Sequence, residues 1–170
     1  MTMVSVTERE DPRPDEVEPR WLDETELAAW LPLVRVVQEL PQALDRRLRE
    51  DAGITHTYYA MLATLSAAPD RMLTMGELAR LTATSPSRLS HAIAALEQRG
   101  WVTREHCPND RRSQFAVLTD EGQALLERIA PRHVEHVREL VFDRLTDAQV
   151  RDLAAIAAAL MGPGSPLGEA

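Results

Sequence analysis

Apolar residues recur along this chain with two different periods, and the change between them divides it. From Leu27 onward, Leu27, Trp30, Leu31, Val34, Val37, Leu44 and Leu48 keep the three- and four-residue spacing of one helical face. Asp23 stands at a cap position with Glu26 three residues on, and Leu22 and Leu27 occupy the positions of a hydrophobic staple. Pro41 lies inside the run and predicts a kink or a split, and Gly53 ends it. A second helix starts near Thr55, carries Tyr58, Tyr59, Met61, Leu62 and Leu65, and stops at Ala67-Ala68-Pro69-Asp70. Thr74 with Glu77 predicts another capping box, opening a short helix through Leu78 and Leu81. Ser85 before Pro86 places a cap ahead of a proline at the first helical position. The helix that follows buries Leu89, Ile93 and Leu96, and Gly100 terminates it.

Here the period shortens. Trp101–Glu105 and Gln114–Leu118 are strand-like, and the Pro-Asn-Asp turn between them predicts a hairpin with a long tip. Thr119 then caps a long helix bearing Leu125, Leu126, Ile129, Val134, Val137 and Val141, with Pro131 as an expected kink. Thr146 with Gln149 opens a last helix through Val150, Leu153, Ile156 and Leu160, closed by Gly162-Pro163. The expected fold is mainly α with a small β-hairpin, an α+β arrangement. Helix, short helix, turn, polar-faced helix and hairpin together make a winged helix-turn-helix lobe, with helices on either side of it in the chain.

Bulk properties narrow the class. With 170 residues, the chain has room for one domain or one domain with an extension. No apolar run approaches the roughly 20 residues that span a bilayer, so no membrane role is expected. Residues 1–21 form an acidic leader without a signal-peptide pattern and are expected to be disordered. A single cysteine excludes an internal disulfide framework and suits a reducing cytoplasm. All 19 basic residues are arginine, which codon bias in a GC-rich genome explains better than selection for its chemistry. The formal charge of -8 argues against a general nucleic-acid coat, but its distribution matters more. Thr74–Leu118 holds six arginines against four carboxylates, a net +2, which leaves -10 on the remainder. The middle of the chain favours phosphate. No glycine-rich phosphate loop, nucleophile elbow or cysteine near a predictable base is present, so neither enzymatic chemistry nor a cofactor is expected.

The candidate chemistry lies in that middle segment. In helix-turn-helix proteins the second helix enters the major groove, its N-terminal residues at the base edges. The face available here is Ser85, Ser87, Arg88, Ser90 and His91, which taken alone is equally an ordinary solvated face. At the hairpin tip, HCPNDRRSQ sets Arg111 and Arg112 beside a turn, with Gln114 following. Guanidinium groups placed next to a reading helix can enter the adjoining minor groove. Asp110 can hold Arg112 extended as support for the wing.

From Leu27 to Met161 the chain resembles the MarR (multiple antibiotic resistance regulator) family of bacterial transcription factors. The motifs lie in LTMGELARLTATSPSRLSHAIAALEQRGWVTREHCPNDRRSQFAVLTDEG: the Asp-x-Arg wing, the Leu-Thr-x-x-Gly entry to the long helix and the Leu-Glu-x-x-Gly helix exit. The resemblance implies an obligate homodimer on a palindromic operator of double-stranded DNA, commonly a repressor, released by a small aromatic or phenolic effector. It implies that Arg112 enters the minor groove with Arg111 near phosphate. The expected organisation is a leader (1–21), a dimerisation helix (22–53), the winged lobe (54–119), C-terminal dimerisation helices (120–162) and a flexible tail (163–170). The expected location is cytoplasmic, on the nucleoid. The family's pocket position, between dimer helices and DNA lobe, points to Trp30, Val34, Tyr58, Tyr59 and Met61, although Trp30 and Tyr59 are as readily core.

Other readings stay open. A winged helix can serve as a protein-interaction scaffold without DNA. His133 and His136 share a helix face with Glu135 and Glu139, which allows a zinc-responsive regulator. An ordinary solvated face is the preferred reading there, so no metal site is assigned. Relatives that sense peroxide carry a cysteine on the N-terminal helix, whereas Cys107 lies in the wing.

Overall fold

A reciprocal cap starts the first helix: Glu26 N–H donates to Asp23 Oδ1 at 2.8 Å, and Asp23 N–H donates to Glu26 Oε2 at 2.9 Å. In this computed structural model, which describes residues 19–107 and 110–163 apart from the side chains of Cys107 and 110–113, α1 then runs unbroken over Glu24–Ala52. The helix continues through Pro41, where a kink or a split was expected, so the split does not occur. Pro41 is exposed, so the ladder bond it removes frees a carbonyl that can turn to water.

The chain divides into two units, Met1–Val36 and Val37–Ala170. In the first, the helical residues up to Val36 include no buried side chain, and Leu27, Trp30, Leu31 and Leu33 are exposed. The second unit holds the rest of α1, then α2 (His56–Ala67), β1 (Met72–Thr74), α3 (Met75–Leu81), α4 (Pro86–Gln98), β2 (Val102–Cys107), β3 (Asp110–Leu118), α5 (Asp120–Leu140) and α6 (Asp147–Leu160). The strands form an antiparallel sheet in the order β1-β3-β2. Strand β1 was not expected. It pairs Met72 with Val117 and Thr74 with Phe115, and Thr74 also caps α3 as predicted. Helix α5 is likewise continuous through its exposed Pro131.

One core fills this unit. Leu48, Ile54, Met61, Leu62, Leu65, Leu78, Leu89, Ile93, Leu96, Val102, Ala116 and Leu118 are buried, joined by Leu125, Leu126 and Ile129 of α5. Each large side chain fully enclosed contributes about 1.5–3 kcal/mol relative to exposure. Among the described residues, no helix is long and apolar enough to cross a membrane.

Two of the sequence motifs meet at one point. Gly100, at φ +73°, leaves α4 in the left-handed conformation, with its N–H on the Glu97 carbonyl and the Trp101 N–H on the Leu96 carbonyl. Thr119 then accepts from the Gly122 N–H at 3.0 Å and donates its own hydroxyl to the Gly100 carbonyl at 2.7 Å. Gly122 is helical, but a Cβ there would overlap the Trp101 carbonyl and press on Leu118. Helix propensity alone would make Gly122→Ala stabilising by about 1 kcal/mol. The overlap should reverse that sign, and we expect a net loss of about 2 kcal/mol by analogy with overpacked cores. Thermal and urea unfolding of the variant checks this; an alanine variant that melts at or above wild type would show that the junction can yield.

Candidate nucleic-acid interface

Between α3 and α4 the chain turns through Thr82-Ala83-Thr84. Thr82 donates to the Leu78 carbonyl at 2.7 Å, the Thr84 N–H donates to the Ala79 carbonyl at 2.9 Å, and Ala83 sits at φ 46°. This closes the helix-turn-helix. On α4, Leu89, Ala92, Ile93 and Leu96 face the core, while Ser85, Ser87, Arg88, Ser90 and His91 are all exposed. The five candidates therefore form one outward face. Ser85 has the backbone geometry of a cap, but its hydroxyl makes no capping hydrogen bond, and no acidic residue occupies the first turn. The helix end keeps its partial positive charge open to an anion. Arg88 also borders a cleft of about 290 Å³ shared with His56, Thr57 and Thr84.

The wing lies beside this face. β2 and β3 pair Arg104 with Ala116 and His106 with Gln114, with an irregularity after His106. Gln114 is half-buried at the base of the tip. Arg111 and Arg112 lie on β3, but their side chains, with those of Cys107 and Asp110, fall outside the described residues. Arg104 went unnoticed in the sequence. Its Nη2 donates to the Ser90 carbonyl at 2.9 Å, and its Nε lies 3.2 Å from Glu97 Oε2. Strand alternation could show which side Arg104 faces, but not what it meets.

Comparison with known proteins places this geometry. A family model described as the MarR family matches residues 52–113. The chain is similar to the Streptomyces coelicolor regulator Sco3205, a MarR family transcriptional regulator solved in complex with DNA. The identity is 47%, over 89% of this chain and 97% of that one, with a TM-score of 0.80. The chain belongs to the MarR family. AbsC, another MarR family regulator of S. coelicolor, is 38% identical over 84% of this chain and 93% of its own, with a TM-score of 0.74. The transcriptional regulator PecS of Dickeya dadantii is 32% identical over 111 residues, 64% of this chain and 66% of PecS. The chain thus spans slightly less than two thirds of that curated relative's length.

The residues suggested by the MarR-family pocket position go to different places. Trp30, half exposed, and Val34, partly buried, lie in the first unit. In the second, the Tyr58 ring lies under the Arg99 guanidinium, 5.7 Å from its centroid, and Arg99 also covers Trp101 at 5.0 Å. Tyr59 turns the other way and packs on His133, ring centroids 4.0 Å apart. Met61 is a correction: its side chain is fully enclosed in the core and offers no surface to a ligand. A cavity of about 330 Å³ opens between the second half of α1 and α5, where Leu48, Ile129, Arg128, Arg132 and His133 border it.

The histidines are a second correction. His133 and His136 were expected on a solvated face, but both are buried because that face of α5 packs against α1 and α2. His136 Nε2 lies 2.7 Å from Asp51 Oδ2, and His56 comes within 6.0 Å of His133, centroid to centroid. Among the described residues, no three His, Cys, Asp or Glu side chains gather as a metal site. Burial lowers the pKa of His133, aided by the nearby His56 and His136, and burial lowers that of His56 against the pull of Asp45. A histidine held neutral in the fold contributes full stability above the unfolded value of about 6.5. Below that value the unfolded chain binds protons that the fold resists, so stability is lost as pH falls. The melting temperature should be flat from about pH 7 to 8 and fall between about pH 6.5 and 5.5. His133→Gln should reduce that slope; an equally steep decline in the variant would remove His133 as its source.

Proposed function

We propose that this MarR-family chain is a homodimeric, sequence-specific DNA-binding repressor that holds a palindromic operator and releases it when a small aromatic or phenolic effector binds. The observation that carries the reading is the outward face of α4, with five polar candidates and an acid-free helix end beside the wing. In it, Ser87, Ser90 and His91 meet base edges, and Ser85 and Arg88 meet a base or a phosphate. Arg111 and Gln114 lie along the backbone, and Arg112, supported by Asp110, enters the minor groove. The net +2 of this segment within an acidic chain supports a local footprint over a diffuse one.

The dimer reading rests on apolar surface. Leu27, Trp30 and Leu31 on the first half of α1 are exposed, and so are Leu153, Ile156 and Leu160 on α6. Such faces on a soluble chain call for a partner. Residues 22–53 and 120–162 are the proposed dimerisation segments and 54–119 the DNA lobe, which sets two half-sites about 34–36 Å apart. A duplex selected by the wild-type protein from a random pool provides the test. Arg88→Ala should weaken its binding by about 1–3 kcal/mol. Arg112→Ala should weaken it and also lower the salt dependence by about one ion. Ile156→Glu should give a monomer in sedimentation with the selected duplex lost. Failure of the wild type to enrich any duplex would leave the scaffold reading instead.

For the effector we propose the cavity between α1 and α5. Leu48 and Ile129 would take the apolar ring, Arg128 and Arg132 an acidic group, and Tyr59 would sense occupancy through His133. Trp30 and Val34 stand as separate candidates. Titration of benzoate, salicylate and phenol by calorimetry and operator release should show Arg128→Ala losing the carboxylates about tenfold, as for one charge-assisted contact. Release from a folded Trp30→Ala protein at unchanged concentrations would assign Trp30 to packing.

A further inference from the structure

We infer that Arg104 is a positioning residue that sets the spacing between α4 and the wing, and thereby decides which duplexes fit, without touching DNA itself. This rests on the DNA-binding reading above. The guanidinium reaches from β2 to two points on α4, the Ser90 carbonyl and the Glu97 carboxylate, seven residues or about two helical turns apart. Ser90 lies in the exposed face proposed to read bases, so a bond to its carbonyl restrains how that face is rotated. On the strand side, Arg104 pairs with Ala116 of β3, the strand that carries the backbone of Arg111 and Arg112. One side chain thus connects the proposed major-groove element to the proposed minor-groove element.

Beyond the hydrogen bonds at the Gly100–Trp101 junction, the packing between α4 and the wing differs in kind. Ile93, Leu96 and Val102 are buried in the shared core, and apolar burial resists separation but has no directional preference for register. Sliding or twisting is opposed by directional polar contacts, and Arg104 supplies one in its bond to the Ser90 carbonyl, with the ion pair to Glu97 holding the guanidinium in place. Arginine is suited to the task, because its long planar head can donate to the Ser90 carbonyl while its charge stays beside Glu97, whereas a lysine ammonium is a single point of charge. Glu97 neutralises the guanidinium, and only about a quarter of the Arg104 side chain is exposed. Its charge is therefore committed within the protein, unlike that of the exposed Arg88.

The decisive variants are Arg104→Lys, which keeps the charge and loses the fork, and Glu97→Gln, which keeps the Ser90 bond. The probes are the duplex enriched by wild type from a random pool and a scrambled duplex of equal length, at two salt concentrations, with melting temperatures recorded. Arg104→Lys should lower the ratio of selected to scrambled affinity about tenfold, the scale of one misplaced base contact. Its salt slope should stay at the wild-type value. Glu97→Gln should lower the same ratio by a smaller factor, and the double variant should lose less than the two factors multiplied. An unchanged ratio in both single variants overturns the proposal, as does a loss shared equally by both duplexes together with a lower melting temperature. In a third variant, Arg104→Gln, which removes the charge, a salt slope reduced by about one ion would make Arg104 a phosphate contact instead. If wild type enriches no duplex, the DNA-binding reading falls first and takes this proposal with it.

Discussion

At residue 122 two backbones come so close that only a hydrogen fits between them. The start of α5 lies against the Trp101 carbonyl, and Thr119 ties that approach to the Gly100 carbonyl where α4 has just ended. Three segments therefore share one anchor: the exit of α4, the root of β2 and the entry to α5. The apolar core makes their association strong, but strength without direction would allow several relative placements. The junction selects one. The outward faces of α4 and the wing inherit their separation from it, and Arg104 extends the same restraint toward the tip.

What could be read from the chain followed how local its cause was. The pairs Asp23 with Glu26, Thr74 with Glu77 and Thr146 with Gln149 are three residues apart, and each reciprocal cap forms where its helix begins. The polar face of α4 was legible for the same reason, since burial of Leu89, Ile93 and Leu96 determines the opposite side. Strand β1 was not, because three residues cannot display alternation and its partner lies some forty positions away. His133 and His136 misled because their neighbours Glu135 and Glu139 suggested solvent. Only the packing of α5 on Asp51 and Tyr59 shows otherwise. The family's pocket position points to Met61 together with the tyrosines, yet on α2 Tyr58, Tyr59 and Met61 face Arg99, His133 and the core respectively.

Charge placement at helix starts separates the elements in a way net charge does not. α1, α3, α5 and α6 carry acidic residues in their first turns, which complement the helix dipole from within the protein. α2 has none of its own, but Asp45 accepts the His56 N–H at 2.8 Å and fills that role from α1. Among the described helices, α4 alone begins without a carboxylate supplied by sequence or by fold. In a chain of charge -8, that omission makes the end of α4 a local exception in an otherwise repulsive field.

The turn before α4 has a further effect through Ala83. An alanine at φ 46° stores about 1–2 kcal/mol of strain that a glycine would not. Glycine would relax the folded turn, but it would also widen the range of angles through which α4 could swing about α3. With alanine, the methyl group narrows that range while the chain folds, before any duplex arrives. The entropy of orienting α4 is then lost during folding, so on the proposed reading association begins from a helix already aimed.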